Sequence, residues 1–142
     1  SRACELTIIL TKELDFQAKN KNFKLYINLS RQKIHNIAAE MDYGIIWRDD
    51  TTFNKVATPT KISEYWAFGL KVLAINNAGS FTSNIKANAK LGKVLEEDNI
   101  QEQINSLQAN NDDSDFLIKY VRKNFSIDKN VDTYINFLKD KS

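Results

Sequence analysis

Short apolar runs alternate with amphipathic segments along most of the chain. Five of these runs have the length and residue types of strands, and we predict them at Leu6–Leu10, Lys24–Leu29, Tyr43–Trp47, Val72–Ile75 and Lys93–Glu96. Strands that alternate with helical segments are typical of a parallel sheet covered by helices. The pattern therefore predicts an α/β fold, with a Rossmann-like, mostly parallel sheet of about five strands and helices on both faces.

Helical periodicity fills most of the remaining sequence. We predict helices at Arg31–Met41 with Ser30 as N-cap, at Ser80–Asn88, at Asn99–Ala109 with Asp98 as N-cap, and at Asp128–Lys141. A further helix is expected to start in the acidic segment Asn110–Asp115 and to turn Phe116, Tyr120 and Val121 inward. With one proline and four glycines, the chain has no obvious linker or repeat, and we predict a single domain over residues 1–142.

The segment between the third and fourth strands carries the clearest signals for a helix start and stop. Thr58 fits an N-cap, Pro59 fits the first helical position, and Gly69 fits the residue that ends the helix. In an open α/β sheet, ligands bind outside the carboxyl ends of the strands, where the positive end of a helix faces a phosphate well. This helix is therefore the first candidate for a binding site.

The two sides of this helix differ in chemistry. At about 100° per residue, Ile62, Tyr65 and Trp66 fall on one side, which suits packing against the sheet. The opposite side presents the hydroxyl, ammonium and carboxylate groups of Thr60, Lys61 and Glu64. Spacing alone favours an exposed ion pair between the last two residues, because such pairs are common on helices.

Taken together, the motif resembles the donor-site helix of GT-B glycosyltransferases, in particular the retaining "group 1" set that builds bacterial surface glycans. The matching positions are Pro59, Lys61, Glu64, Tyr65, Ala67 and Gly69, between two matching strands. The resemblance extends over roughly residues 25 to 142 and is strongest over 42 to 98. It implies the C-terminal, donor-nucleotide-binding domain of an enzyme that transfers a sugar to a cell-envelope polysaccharide or a lipid-linked precursor.

The resemblance also implies roles for particular residues. Backbone N–H groups of Thr60 and Lys61 and the Lys61 ammonium are expected to bind the donor diphosphate, and Glu64 is expected to accept hydrogen bonds from ribose hydroxyls. Asn54 and Lys55 lie in the preceding loop. Two interpretations fit them equally well: they contact phosphate, or they belong to an ordinary polar loop. No metal or cofactor is expected beyond the nucleotide-sugar donor.

Two departures from the family pattern limit the prediction. Many relatives place a first Glu eight positions before the second, but this chain has Val56 there, so the catalytic residue stays unknown. The first strand of the domain and its Gly-rich loop are not found in the sequence. That strand is central in the order 3-2-1-4-5-6, so we expect neighbouring strands to rearrange, to leave a gap or to self-associate. Such a fragment, which reaches its acceptor through an upstream domain, is expected to be inactive alone.

Composition excludes several other classes of protein. Hydrophobic residues make up 42% and charged residues 27%, and the net charge of +2 gives no electrostatic argument for nucleic-acid binding. No apolar run reaches the roughly 20 residues of a membrane span. A single cysteine suits a reducing compartment, so we expect a cytoplasmic protein. The basic residues near the C-terminus are interpreted as a solvent-exposed helix face, with a contact to anionic lipid as the less favoured alternative.

Two other functions remain open. Length and strand alternation also fit a non-catalytic α/β module, such as a flavodoxin-like receiver or an interaction domain. A nucleotide-sugar epimerase of related fold would need catalytic acids and a histidine that the sequence does not place. The single histidine, His35, reads as a surface residue.

Overall fold

The computed structural model describes residues 5–12, 22–49, 51–107, 112–126 and 131. The described strands are β1 (Leu6–Leu10), β2 (Phe23–Ile27), β3 (Tyr43–Trp47), β4 (Lys71–Ile75) and β5 (Gly92–Leu95). The described α-helices are α1 (Arg31–Ala38), α2 (Thr52–Val56), α3 (Thr60–Ala67), α4 (Thr82–Ala87), α5 (Ile100–Asn105) and α6 (Ser114–Phe125). Short 3₁₀ segments at Gly79–Phe81 and Glu97–Asn99 precede α4 and α5.

The strands form two parallel sheets. One contains β1 and β2, and the other has the order β3-β4-β5. The predicted α/β class, five strands and parallel pairing are confirmed, but the expected single sheet is divided. Backbone contacts also divide the chain into two compact units, residues 1–40 and 41–142. The prediction of one domain over residues 1–142 stays a prediction.

The first unit consists of the β1–β2 pair followed by α1. Ser30 caps α1 as expected, because its Oγ accepts a hydrogen bond of 3.4 Å from the Lys33 N–H. Strand β2 stops at Ile27 rather than at the predicted Leu29, since Asn28 adopts a φ of +51°, which leaves the extended region. Helix α1 likewise ends at Ala38 and not at Met41.

The main hydrophobic cluster of the second unit lies on one face of the β3-β4-β5 sheet. Ile46, Val72 and Ala74 lie on that face, and α3 covers it with the fully buried Ile62 and Trp66. The Trp66 indole N–H donates to the Leu91 carbonyl over 2.8 Å, so burial leaves its polar atom satisfied. This packing fixes which side of α3 turns toward the sheet.

Aromatic rings extend this core toward α6. The Trp66 ring packs edge-on against Phe81 and Tyr120, at centroid distances of 5.2 and 5.5 Å. Leu117 of α6 is fully buried in the same cluster. The prediction that Phe116, Tyr120 and Val121 turn inward is confirmed, since all three pack against it. Burying each large side chain is worth about 1.5–3 kcal/mol.

Several predicted boundaries are wrong. The helix expected over Ser80–Asn88 is a 3₁₀ turn followed by α4, and the one expected over Asn99–Ala109 narrows to α5. Asp98 does not cap α5, because it lies inside the preceding 3₁₀ turn. The predicted helix Asp128–Lys141 lies outside the described residues except for Val131. In the described part of the chain, every helix is too short or too polar to cross a bilayer.

Candidate functional site

Helix α3 starts without a side-chain cap. Pro59 occupies the N-cap position with φ −75° and ψ 111°, and the helix begins at Thr60. The prediction that Thr58 is the cap is wrong, because its hydroxyl shares a hydrogen bond of 2.9 Å with the hydroxyl of Ser80, after the next strand. Among the described residues, no side chain bonds to the first N–H groups of α3, and these groups are suited to an anion.

The other end of α3 agrees with the prediction. Gly69 adopts a φ of +78°, which few other residues tolerate, and its N–H donates to Trp66 O over 3.0 Å. The Leu70 N–H donates to Tyr65 O over 2.9 Å, which completes a Schellman motif. Glycine at this position therefore sets where α3 ends.

Tyr65 holds α3 against β3. Its ring lies where a side chain on Gly44 would otherwise be, and its hydroxyl donates to the Ile45 carbonyl over 3.3 Å. Burial raises the pKa of the Tyr65 hydroxyl above its ordinary value, which further favours the protonated form that donates this bond. The predicted packing side of α3 is confirmed, and the opposite side carries Lys61 and Glu64.

Lys61 and Glu64 form an ion pair at the surface. The Lys61 Nζ to Glu64 Oε2 distance is 2.7 Å, and the side chains are 64% and 47% exposed. This is the i,i+3 pair that spacing alone favours, and neither residue lines a described cavity. An exposed pair of this kind contributes about 0–1 kcal/mol, so a ligand that replaced one partner would lose little.

Asn54 stabilises the segment between β3 and α3 through hydrogen bonds. Its Oδ1 accepts from Arg48 Nη2 over 2.7 Å, and its Nδ2 donates to Asp49 O over 2.9 Å. Its own N–H donates to Thr51 Oγ1, which caps α2. Both the oxygen and the nitrogen of the Asn54 amide thus form hydrogen bonds within the loop. These contacts are those expected of an ordinary polar loop residue. Lys55 is exposed in the last turn of α2.

The loops that follow β3 and β4 contact each other beyond the carboxyl ends of these strands. The Asn76 amide donates to Arg48 O over 3.3 Å and to Glu97 Oε2 over 3.1 Å. Gly79 has a φ of +58°, and a side chain there would overlap the Ala57 carbonyl. The Ser80 N–H donates to the same carbonyl over 3.0 Å. These bonds fix the approach to the first turn of α3.

A polar cavity of about 440 Å³ lies at the same end of the sheet. Its lining is Asp49, Asn76, Glu96, Glu97 and Asp98, which follow the ends of β3, β4 and β5. Four carboxylates can accept hydrogen bonds from hydroxyl groups, whereas their negative charge would repel a diphosphate. The three acids after β5 were not predicted as site residues, although acidic residues directly after an apolar strand are a visible signal in the sequence. Among the described residues, no group of three or more His, Cys, Asp or Glu is arranged to hold a metal ion.

Comparison with known proteins gives no relative from which a function can be transferred. No family model matches the chain, and neither a curated protein nor a solved structure matches it.

Proposed function

We propose that this chain is the donor-nucleotide-binding part of a GT-B glycosyltransferase that uses a nucleoside-diphosphate sugar to extend a cell-envelope polysaccharide or a lipid-linked precursor. The observation that carries the proposal is the uncapped start of α3, beyond the carboxyl end of β3 and bearing the motif residues Pro59, Lys61 and Glu64. An uncapped helix start combined with a lysine is a suitable site for a phosphate group.

In this proposal the phosphates lie at the first turn of α3. The N–H groups of Thr60 and Lys61 and the Lys61 ammonium bind them, and Glu64 exchanges its ion pair with Lys61 for two ribose hydroxyls. The sugar faces the polar cavity, where Asp49 and its neighbours accept hydrogen bonds from hydroxyl groups. Positive charge thus meets the diphosphate, and negative charge meets the neutral sugar.

The rest of the enzyme belongs to an upstream domain in this proposal. That domain supplies the acceptor site and the Gly-rich loop that completes the diphosphate site, so the 142 residues alone bind donor but do not turn it over. The protein works in the cytoplasm, with peripheral contact to the membrane where the acceptor is lipid-linked.

A second candidate function is a non-catalytic α/β interaction module. The exposed Lys61–Glu64 pair favours it, because the pair makes no contact with a cavity. Three large apolar side chains around α2 are also exposed: Trp47 at 62%, Phe53 at 76% and Val56 at 70%. Large apolar side chains exposed within one short stretch of chain are a feature of interaction surfaces when they lie together.

Calorimetric titration with nucleoside diphosphates tests the first proposal. We expect measurable binding of at least one of them, and Glu64→Ala should weaken it by about 1–3 kcal/mol, because a charged acceptor is lost from the ribose. Glu102→Ala is the matched control, since Glu102 is an exposed acid in α5 with no role in the proposed site.

Two results would contradict the proposal. One is an equal affinity of wild type and Glu64→Ala for every nucleotide that binds. The other is a gain of one phosphoryl group, seen by intact mass after treatment with acetyl phosphate, which would identify a receiver module instead.

A further inference from the structure

A second cavity lies at the opposite end of the strands from the proposed donor site. It has a volume of about 340 Å³, and its lining includes Tyr43, Lys71 and Gly92, the first residues of β3, β4 and β5. The amino ends of parallel strands are not where α/β sheets bind their main ligands. The cavity therefore has no part in the donor site.

One side of this cavity is apolar. This side is formed by Ile85 of α4, Val94 of β5, Leu107, and Ala89 in the turn between α4 and β5. Ile85 is only 2% exposed. The volume lies at the lower end of the range for small-molecule sites. A short hydrocarbon chain fits such a wall, because burial against it is worth about 0.8 kcal/mol per methylene.

The other side is cationic. Lys71, Lys86 and Lys93 line the cavity, and no carboxylate does. Lys71 is 14% exposed and bonds to Asp113 Oδ2 over 2.7 Å, so its charge is balanced within the protein. Lys86 and Lys93, in contrast, form no ion pair with another described residue. Asp42 also lies near this lining, because burial raises the pKa of the Tyr43 hydroxyl and the charge of Asp42 adds to that effect.

We propose that this cavity binds a small amphipathic anion, whose charged group meets the ammonium groups of Lys86 and Lys93 and whose short apolar chain lies against Ile85, Val94 and Leu107. Both halves of the ligand are needed, because the two sides of the cavity differ in chemistry. The inference does not depend on the proposed donor site, which lies at the other end of the strands.

Titration with octanoate tests this inference, with octanol as the neutral analogue and acetate as the anion without a chain. Shifts of the methyl signals of Ile85, Val94 and Leu107 in nuclear magnetic resonance spectra report binding at the cavity. We expect octanoate to shift these signals with an affinity at least about tenfold above that of either analogue, which corresponds to about 1.4 kcal/mol.

Three variants separate this site from general attraction to a basic protein. Lys86→Gln with Lys93→Gln should weaken octanoate binding about tenfold, as should Ala89→Phe, which fills the cavity without changing charge. Lys33→Gln with Lys119→Gln removes the same charge from exposed positions that do not line the cavity, and should leave binding within about twofold of wild type. Absence of methyl shifts, equal affinities for all three compounds, or equal losses in both lysine pairs would overturn the inference.

Discussion

At the scale of single residues, the contact between Gly44 and Tyr65 sets the distance between α3 and β3. A Cβ atom on Gly44 would overlap the base of the Tyr65 ring, and that part of the side chain cannot swing away. We therefore expect Gly44→Ala to reduce the free energy of unfolding by about 1–3 kcal/mol, the usual cost of overpacking, as measured by urea denaturation.

A double-mutant cycle checks the physical cause. In a Tyr65→Ala background the ring is gone, so Gly44→Ala should cost much less than it does in the wild type. If the cost is the same in both backgrounds, steric overlap with Tyr65 is not the reason for glycine at this position.

Residue-scale predictions were confirmed where a residue's own backbone decides the outcome. Gly69 ends α3 as predicted because a φ of +78° suits glycine almost alone. Thr58 does not cap α3 because its hydroxyl bonds instead to Ser80, 22 positions away in sequence. A sequence pattern shows which residues prefer to cap a helix. It does not show a competing hydrogen-bond partner that lies far away in sequence and is brought near by the fold.

At the scale of secondary-structure elements, Asp113 joins the start of α6 to the sheet. One carboxylate oxygen lies 2.7 Å from Lys71 Nζ at the start of β4, and the other lies 3.1 Å from Lys90 Nζ. Hydrogen bonds from Lys71 and Lys90 lower the pKa of the Asp113 carboxyl below its ordinary value of 3.8. Gly69 fits against Ser114 close by, so the end of α3 depends on the same junction.

This junction predicts a loss of stability in acid. Because the pKa of Asp113 is lower in the folded than in the unfolded chain, its contribution is complete above pH 3.8 and disappears as the pH falls through the folded value. Asp113→Asn should therefore be less stable than wild type at neutral pH, and the difference in urea midpoint should shrink below the ordinary pKa. Asp115→Asn, an exposed acid in the first turn of α6, is the control. A difference that stays constant down to pH 3 would contradict this role.

Elements with a strong hydrophobic pattern were predictable, and elements held by polar contacts were not. Helix α3 and the inward side of α6 follow apolar spacing, and both were predicted. Helix α2 was read as a loop, because its core contacts are few and its cap, Thr51, lies in a run of polar residues. Trp47 ends an apolar strand but is 62% exposed, and β3 lies at the edge of its described sheet.

At the scale of the whole molecule, the described strands form two parallel sheets. In the described residues, β1 pairs only with β2, and β3 pairs only with β4. Each strand was predictable from its own apolar run, and the parallel direction from the alternation of strands with helices. The choice of neighbouring strand was not predictable, because it depends on residues outside that run.

The exposed edge of β3 is expected to cause self-association. Edge strands are usually protected by charge, and β5 carries Lys93, whereas β3 has no charged residue and exposes Ile45 and Trp47. An uncharged strand edge of this kind can pair with the same edge of a second copy, since a two-fold axis makes the contact self-complementary. We expect sedimentation experiments to show a dimer whose fraction rises with protein concentration.

A charge at this edge should abolish the dimer. Trp47→Lys introduces the type of residue that protects β5, and it should shift the sedimentation profile to monomer at every concentration. Phe53→Lys makes the same change at a residue of α2 that is even more exposed, at 76%, and should leave the dimer intact. A loss of dimer in both variants would indicate general hydrophobic association instead of strand pairing, and a wild-type protein that stays monomeric throughout would show that the β3 edge is not a site of self-association.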